Sequence, residues 1–276
     1  MKKYAAEFIA VFFLVFVGTA AIVTDQYLAV VQLRDTFGVL GVALAHGLAL
    51  ALAIAAVGRI SGGHVNPAIS IAFFVARRLS LKDLAGYIAA QLLGGLTASL
   101  MVAQLFPADT VSSVSAGVPG LGDGVQVLQG GLIEVVLAFM LAFVFWGTAV
   151  DPKGPKAIAP LAIGLTVTFD MLAGAPFTGA AMNPARWFGP AVVSNTFAAD
   201  SIVWILGPIV GALIASTVYE LFFLDEQLDN ENEAEGEKPA GDDDRGGQDP
   251  AHSRKAGPQA SGGSDTESGA SAQDSG

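Results

Sequence analysis

The sequence predicts an all-α membrane protein with six transmembrane helices and two re-entrant half-helices arranged as an inverted repeat. Three observations predict it. Six apolar stretches are long enough to cross a bilayer, which takes about 20 residues. Two shorter apolar stretches each begin with the tripeptide Asn-Pro-Ala. The order of these pieces recurs in the two halves of the chain.

Composition agrees with that class. Of 276 residues, 53% are hydrophobic and only 14% charged, where a soluble domain carries about 25% charged residues. Charge is divided unevenly. Residues 1–224 hold eleven acids and ten bases, while residues 225–276 hold fourteen acids and four bases. The chain therefore reads as a transmembrane domain over residues 1–224 and an acidic tail over residues 225–276. The absence of a basic patch argues against a nucleic-acid partner. Without cysteine there is no disulfide framework, thiolate metal site or cysteine nucleophile.

The spans follow in order at Tyr4–Val23, Phe37–Val57, Leu84–Phe106, Gly130–Val150, Ala157–Ala175 and Ser201–Leu224. Lys2 and Lys3 give the first span the look of a signal peptide. It lacks a clear small-residue cleavage site and five spans follow, so it is expected to be retained. Backbone polar groups in hydrocarbon must be satisfied internally, which makes each span a helix. Their only acidic members are Glu7, Glu134, Asp170 and Glu220, and none contains Lys or Arg. With the N-terminus inside, eight bases (Lys2, Lys3, Arg59, Arg77, Arg78, Lys82, Lys153 and Lys156) fall on the cytoplasmic side. Only Arg34 and Arg186 fall elsewhere. That bias orients both termini toward the cytoplasm. Gly207 and Gly211 form a GxxxG pattern, read as ordinary helix packing.

Val65–Ala76 and Met182–Ser194 are too short to span. Each starts with an N-capping asparagine and a proline suited to the first helical turn: Asn66-Pro67-Ala68 and Asn183-Pro184-Ala185. Small residues precede each, Ser61-Gly62-Gly63-His64 and Thr178-Gly179-Ala180-Ala181. A helix with an early glutamate (Glu7 or Glu134), a second helix, a half-helix and a third helix make one unit. Three spans per unit is odd, so the second copy enters the membrane inverted, and paired short segments then mark a midplane site. Where two half-helix N-termini meet, each brings about half a positive charge and unpaired N–H groups. A cation there is repelled, while a neutral water can offer its oxygen to the Asn66 and Asn183 amides. Orienting that water also interrupts proton hopping along a single file.

These residues resemble the aquaporins, or major intrinsic proteins, over Met1–Leu224. The resemblance is carried by Ala6-Glu7-Phe8, by the run from Ser61 through Asn66-Pro67-Ala68 to Ser70, and by Thr178 through Asn183-Pro184-Ala185-Arg186 with Phe188-Gly189-Pro190. It implies a right-handed helical bundle, a homotetramer with one pore per subunit, no cofactor or metal, no enzymatic activity, and passive flow of water and small neutral solutes across the cell membrane. It also implies an outer constriction at His46, Met171, Ala180 and Arg186. Arg186 is a permanent charge close to a half-helix start, suited to repelling cations and donating to the permeant. His46 is an ionisable group inside a span, where such groups usually face a polar path. Met171 alone would read as plain core, and Ala180 leaves room beside Arg186.

The set departs from the water filter that pairs a Phe on the second helix with a His on the fifth. It is more similar to the plant tonoplast intrinsic protein branch, which the resemblance associates with water and also with ammonia, urea or glycerol. Dedicated glycerol facilitators carry Asp after the filter arginine and a basic residue four further on; here Trp187 and Ala191 stand there. The resemblance makes Glu7 and Glu134 anchors for the re-entrant loops, and His64 a brace beside Asn66 that also lines the cytoplasmic mouth. Asp170 pairs with a pore or loop group, or faces water at the outer end of its helix. A hydrolase reading lacks a nucleophile motif. The tail is too polar to fold. Its alternative role is a charge- or phosphorylation-responsive gate with Ser264, Thr266 and Ser268 among acids. Its acidity would suit a salt-rich cytoplasm and so a prokaryotic, haloarchaeal source.

Overall fold

In the computed structural model, residues 1–31 and 36–224 are described; Arg34 and the acidic tail, with its expected disorder and gate, lie outside the described residues. Among the described residues, six helices are long and apolar enough to cross a membrane. In chain order the helices are α1 (Lys2–Val30), α2 (Gly38–Ser61), α3 (Pro67–Val75), α4 (Leu81–Leu105), α5 (Ala108–Ser113), α6 (Val127–Phe145), α7 (Ala159–Thr178), α8 (Pro184–Ser194) and α9 (Ile202–Phe222). A single π-helical turn, Trp146–Val150, extends α6. The helices α3 and α8 have 9 and 11 residues. At 1.5 Å per residue they are about 14 and 17 Å long, near half of a ~30 Å hydrocarbon core.

Local chemistry sets the ends. Asn66 caps α3 by accepting from the Ala68 N–H at 2.8 Å, and Pro67 fills the first turn. Asn183 caps α8 through the Ala185 and Arg186 N–H groups at 3.0 and 3.4 Å. The helices α2 and α7 stop at Gly62 and Gly179, whose φ of 87° and 74° turn the chain out of the helix. Only glycine takes that left-handed conformation without steric cost. Ser80 starts α4 by accepting from the Asp83 N–H at 3.1 Å.

Packing follows the repeat. Within each unit the first helix lies on the last, α1 on α4 and α6 on α9, and α2 crosses α7 where the units meet. At that crossing a β-carbon on Gly47 would overlap the Gly164 carbonyl, and one on Gly164 would overlap the Gly47 carbonyl. The two glycines occupy matching places, nineteen residues before Asn66 and Asn183. The core runs through both units, from Leu14 and Val15 through Leu50 and Ile54 to Leu141, Ile163 and Met182. Outside it, every span exposes large apolar side chains, among them Leu52, Leu93, Leu128, Phe169 and Leu221. Such a surface would be an anomaly in water and suits hydrocarbon. At one end of the bundle Glu220 accepts from Arg78 at 2.6 and 3.0 Å and from the Trp146 indole at 2.8 Å, joining the chain after α3 to α9.

The helices exceed the apolar stretches in places. Hydropathy marks the first span to Val23, but α1 continues to Val30. In that polar extension Asp25 accepts from the Gly38 N–H at 2.8 Å, holding the start of α2. Hydropathy also gives no hint of α5 or of the 3₁₀ turn at Ser115–Gly117 that follows it.

Candidate functional site

The two loops that lead into α3 and α8 share three matching bonds to a buried glutamate. Ser61 donates to one Glu7 oxygen at 2.6 Å, and Thr178 donates to a Glu134 oxygen at 2.7 Å. The same carboxylate oxygens accept from the backbone N–H of His64 at 3.0 Å and of Ala181 at 2.9 Å. The second oxygens accept from Val65 and Met182, both at 2.7 Å. Glu7 takes a fourth bond from Gln91 at 2.8 Å. Both glutamates are completely buried. A buried carboxylate is tolerated only when its lone pairs are filled, and here backbone and side-chain donors together fill them.

Those bonds hold a backbone that would otherwise relax. Val65 and Met182 sit at φ of 54° and 53°, uncommon for any residue but glycine and a clear outlier for β-branched Val65. Their amides are tied to the glutamates, which leaves their carbonyls facing across to the opposite loop. Asn66 Nδ2 donates to the Met182 carbonyl and Asn183 Nδ2 donates to the Val65 carbonyl, each at 2.8 Å. The starts of α3 and α8 are thus cross-linked, and each asparagine amide keeps one further hydrogen.

A narrow passage runs past this junction. His46, His64, Asn66, Met171, Ala180, Asn183 and Arg186 line it, between aliphatic walls that include Leu14, Leu50, Ile54, Leu141 and Val167. Pro67, Ala68, Pro184 and Ala185 are buried in the helix starts behind the wall, and Glu7 and Glu134 lie behind the loops. Four of these lining residues are the ones expected at the constriction. Arg186 is 3% exposed and donates through Nη1 to the Gly117 carbonyl at 3.0 Å, while its Nε has no partner among the described residues. His46 is held by its Nδ1 on the Val42 carbonyl at 2.9 Å, and its Nε2 is likewise unpartnered. Met171 and Ala180 are buried as well, Ala180 at φ 44°. His64 bonds Ser70 at 3.1 Å and packs on Phe73, 4.1 Å between ring centroids.

Chemically, this is a narrow, largely apolar duct with hydrogen-bonding groups at a few points and one permanent charge, Arg186. Trp187 is turned away from it. It stacks on Trp204 at 6.2 Å with the rings nearly parallel, in a cluster that also holds Ala191. Asp170 meets neither expectation. It is 1% exposed, lies off the passage wall, and neither carboxylate oxygen has a hydrogen-bond partner among the described residues.

Several contributors escape a motif reading. Tyr87 donates to the Ser61 carbonyl at 2.6 Å and Trp204 to the Thr178 carbonyl at 2.8 Å. The two stand at matching distances after the asparagines, 21 residues on from each, so the repeat itself carries that signal. Gln91 and the Gly117 carbonyl have no repeat mate in the same role and leave no such trace.

Comparison with known proteins follows the same lines. A model of the major intrinsic protein family matches residues 1–219. The chain is similar to Aquaporin TIP4-4 of Zea mays, 41% identical over 225 residues that cover 81% of this chain and 87% of the relative. It is also similar to Aquaporin TIP2-1 of Zea mays, 36% identical over 226 residues, 81% of this chain and 88% of that one. Among solved structures, the fold is similar to the X-ray structure of the aquaglyceroporin from Plasmodium falciparum, with TM-score 0.71. That match covers 80% of this chain and 96% of the other at 24% identity, a likeness of fold alone. The two sequence relatives are plant proteins and lend no support to a prokaryotic source.

Proposed function

The chain belongs to the major intrinsic protein family, a family of passive multi-pass membrane channels and not of enzymes, and we propose that this member conducts water while excluding ions and protons. The observation that carries the reading is the mutual cross-link of the two half-helix starts by Asn66 and Asn183. Two helix N-termini, each with about half a positive charge, converge on a duct whose walls are mostly aliphatic. A cation entering there loses hydration that the walls do not replace. Water keeps its oxygen bonded to the remaining asparagine hydrogens, and that fixed orientation breaks a proton wire.

In this proposal His46, Met171, Ala180 and Arg186 form the selectivity filter. The free Arg186 Nε–H donates to the permeant. His46 gives its Nδ1 hydrogen to Val42 and so presents Nε2 as an acceptor. Glu7, Glu134 and His64 position the loops. Residues 1–224 are the channel domain, and the family match to residue 219 supports that boundary. The asymmetry of bases supports cytoplasmic termini in a cell-membrane protein, with the filter toward the outer face. Assembly as a homotetramer is part of the same proposal.

A broader reading, passage of glycerol, urea or ammonia as well, is favoured by small Ala180 beside flexible Met171. Stopped-flow light scattering of proteoliposomes separates the two. With an impermeant osmolyte, shrinkage faster than in protein-free vesicles is the expected result, and equal rates reject the channel. With glycerol or urea as osmolyte, rapid re-swelling selects the broader reading and its absence the narrower one.

A further inference from the structure

We propose that Gly18, on α1 and outside the four filter positions, is a positioning residue that sets the width of the constriction by receiving the edge of the His46 ring. The inference rests on the reading of His46 as part of the filter. His46 is pinned at one nitrogen, Nδ1 on the Val42 carbonyl at 2.9 Å, so its ring has little freedom to turn. A β-carbon built on Gly18 would come within 2.8 Å of three atoms of that ring, Nε2, Cδ2 and Cε1. No backbone atom is among its nearest neighbours. That separates Gly18 from Gly94 or Gly211, where a β-carbon would strike the backbone of a packed helix. The missing side chain at Gly18 is a notch for an imidazole, and it is not a helix crossing.

The repeat sharpens the point. Eleven residues after Glu7 stands Gly18, and eleven after Glu134 stands Phe145. Twenty residues before Asn66 stands His46, and twenty before Asn183 stands Ile163. His46, Phe145 and Ile163 all line the passage. In one half a ring on the second helix is matched by an absent side chain on the first; in the other half the ring is on the first helix and the second carries an aliphatic group. Glycine within a helix is unfavourable relative to alanine, so its presence in the middle of α1 answers to the ring. With α1 and α2 in their places, a methyl at residue 18 displaces the imidazole from its seat toward the lumen.

The test is a double-mutant cycle on the full chain in proteoliposomes: wild type, Gly18→Ala, His46→Ala and Gly18→Ala/His46→Ala. Expected are a severalfold loss of osmotic water permeability and a lower melting temperature in Gly18→Ala, and no further loss of either from the same substitution once His46 is alanine. Equal losses in both backgrounds, or no loss in either, overturn the proposal. If Gly18→Ala fails to fold, the double variant must recover folding because the ring is gone; a double variant that stays unfolded overturns it too. Wild-type vesicles that shrink no faster than empty ones reject water conduction instead, and the melting temperatures of the cycle still decide the notch. There the proposal requires Gly18→Ala to lower stability only while His46 is present.

Discussion

Asn66 donates its side-chain amide to the carbonyl of Met182, 2.8 Å away and on the far side of the junction between the half-helices. The reciprocal bond, Asn183 to Val65, has the same length. Each asparagine therefore holds three things at once: the start of its own helix through Oδ1, the opposite loop through one amide hydrogen, and a remaining hydrogen at the passage.

Asn183→Asp removes that bond while conserving shape. It sets a carboxylate against the Val65 carbonyl and cancels part of the positive potential of two helix starts. Cation or proton leakage is the expected outcome, measured as conductance or as dye-reported pH collapse in vesicles with confirmed insertion. Unchanged exclusion would contradict the electrostatic account.

Glu134→Gln exchanges one acceptor oxygen for an amide donor that faces the Met182 or Ala181 N–H. A hydrogen bond to a charged group contributes about 1.5–3 kcal/mol, so a loss of stability of about that size is expected, together with lower water flux. Thermal unfolding in detergent and stopped-flow shrinkage read the two effects.

Arg186→Val removes the charge and the bond to the Gly117 carbonyl. The constriction should widen and admit urea and glycerol at faster rates, seen as re-swelling after hyperosmotic shock. Glycerol and urea fluxes equal to those of wild type would argue against a filter at this position.

Asp170 offers a contrasting case. Its carboxylate makes no hydrogen bond among the described residues, so Asp170→Asn forfeits none and relieves an uncompensated buried group. The melting temperature should hold or rise, with water permeability unchanged because the residue lies off the passage wall. A fall in stability would mean that the carboxylate has a partner the static structure does not display.

These cases also mark how far a sequence can be read. The spans, the half-helices and their inverted order are legible because they obey one-dimensional rules: apolar length, an N-cap, a proline in the first turn. Glycines are harder. Gly47 and Gly164 look like any small residue in an apolar helix until their backbones are seen to cross. The loop geometry depends on residues far apart in the chain, as when Gln91 reaches Glu7 or the 3₁₀ turn delivers the Gly117 carbonyl to Arg186. Periodicity carries no record of such meetings. Tyr87 and Trp204 are intermediate, since their matched places in the repeat identify them once the repeat is used as a ruler.

The claim at the centre is that the joined ends of α3 and α8 let water through and stop charge. Vesicles loaded with a pH-sensitive dye, given an osmotic step and a pH step in turn, test both halves on one preparation. The account predicts faster shrinkage than in protein-free vesicles with no faster collapse of the pH gradient. Proton entry that rises with protein content, or shrinkage no faster than in empty vesicles, would contradict it.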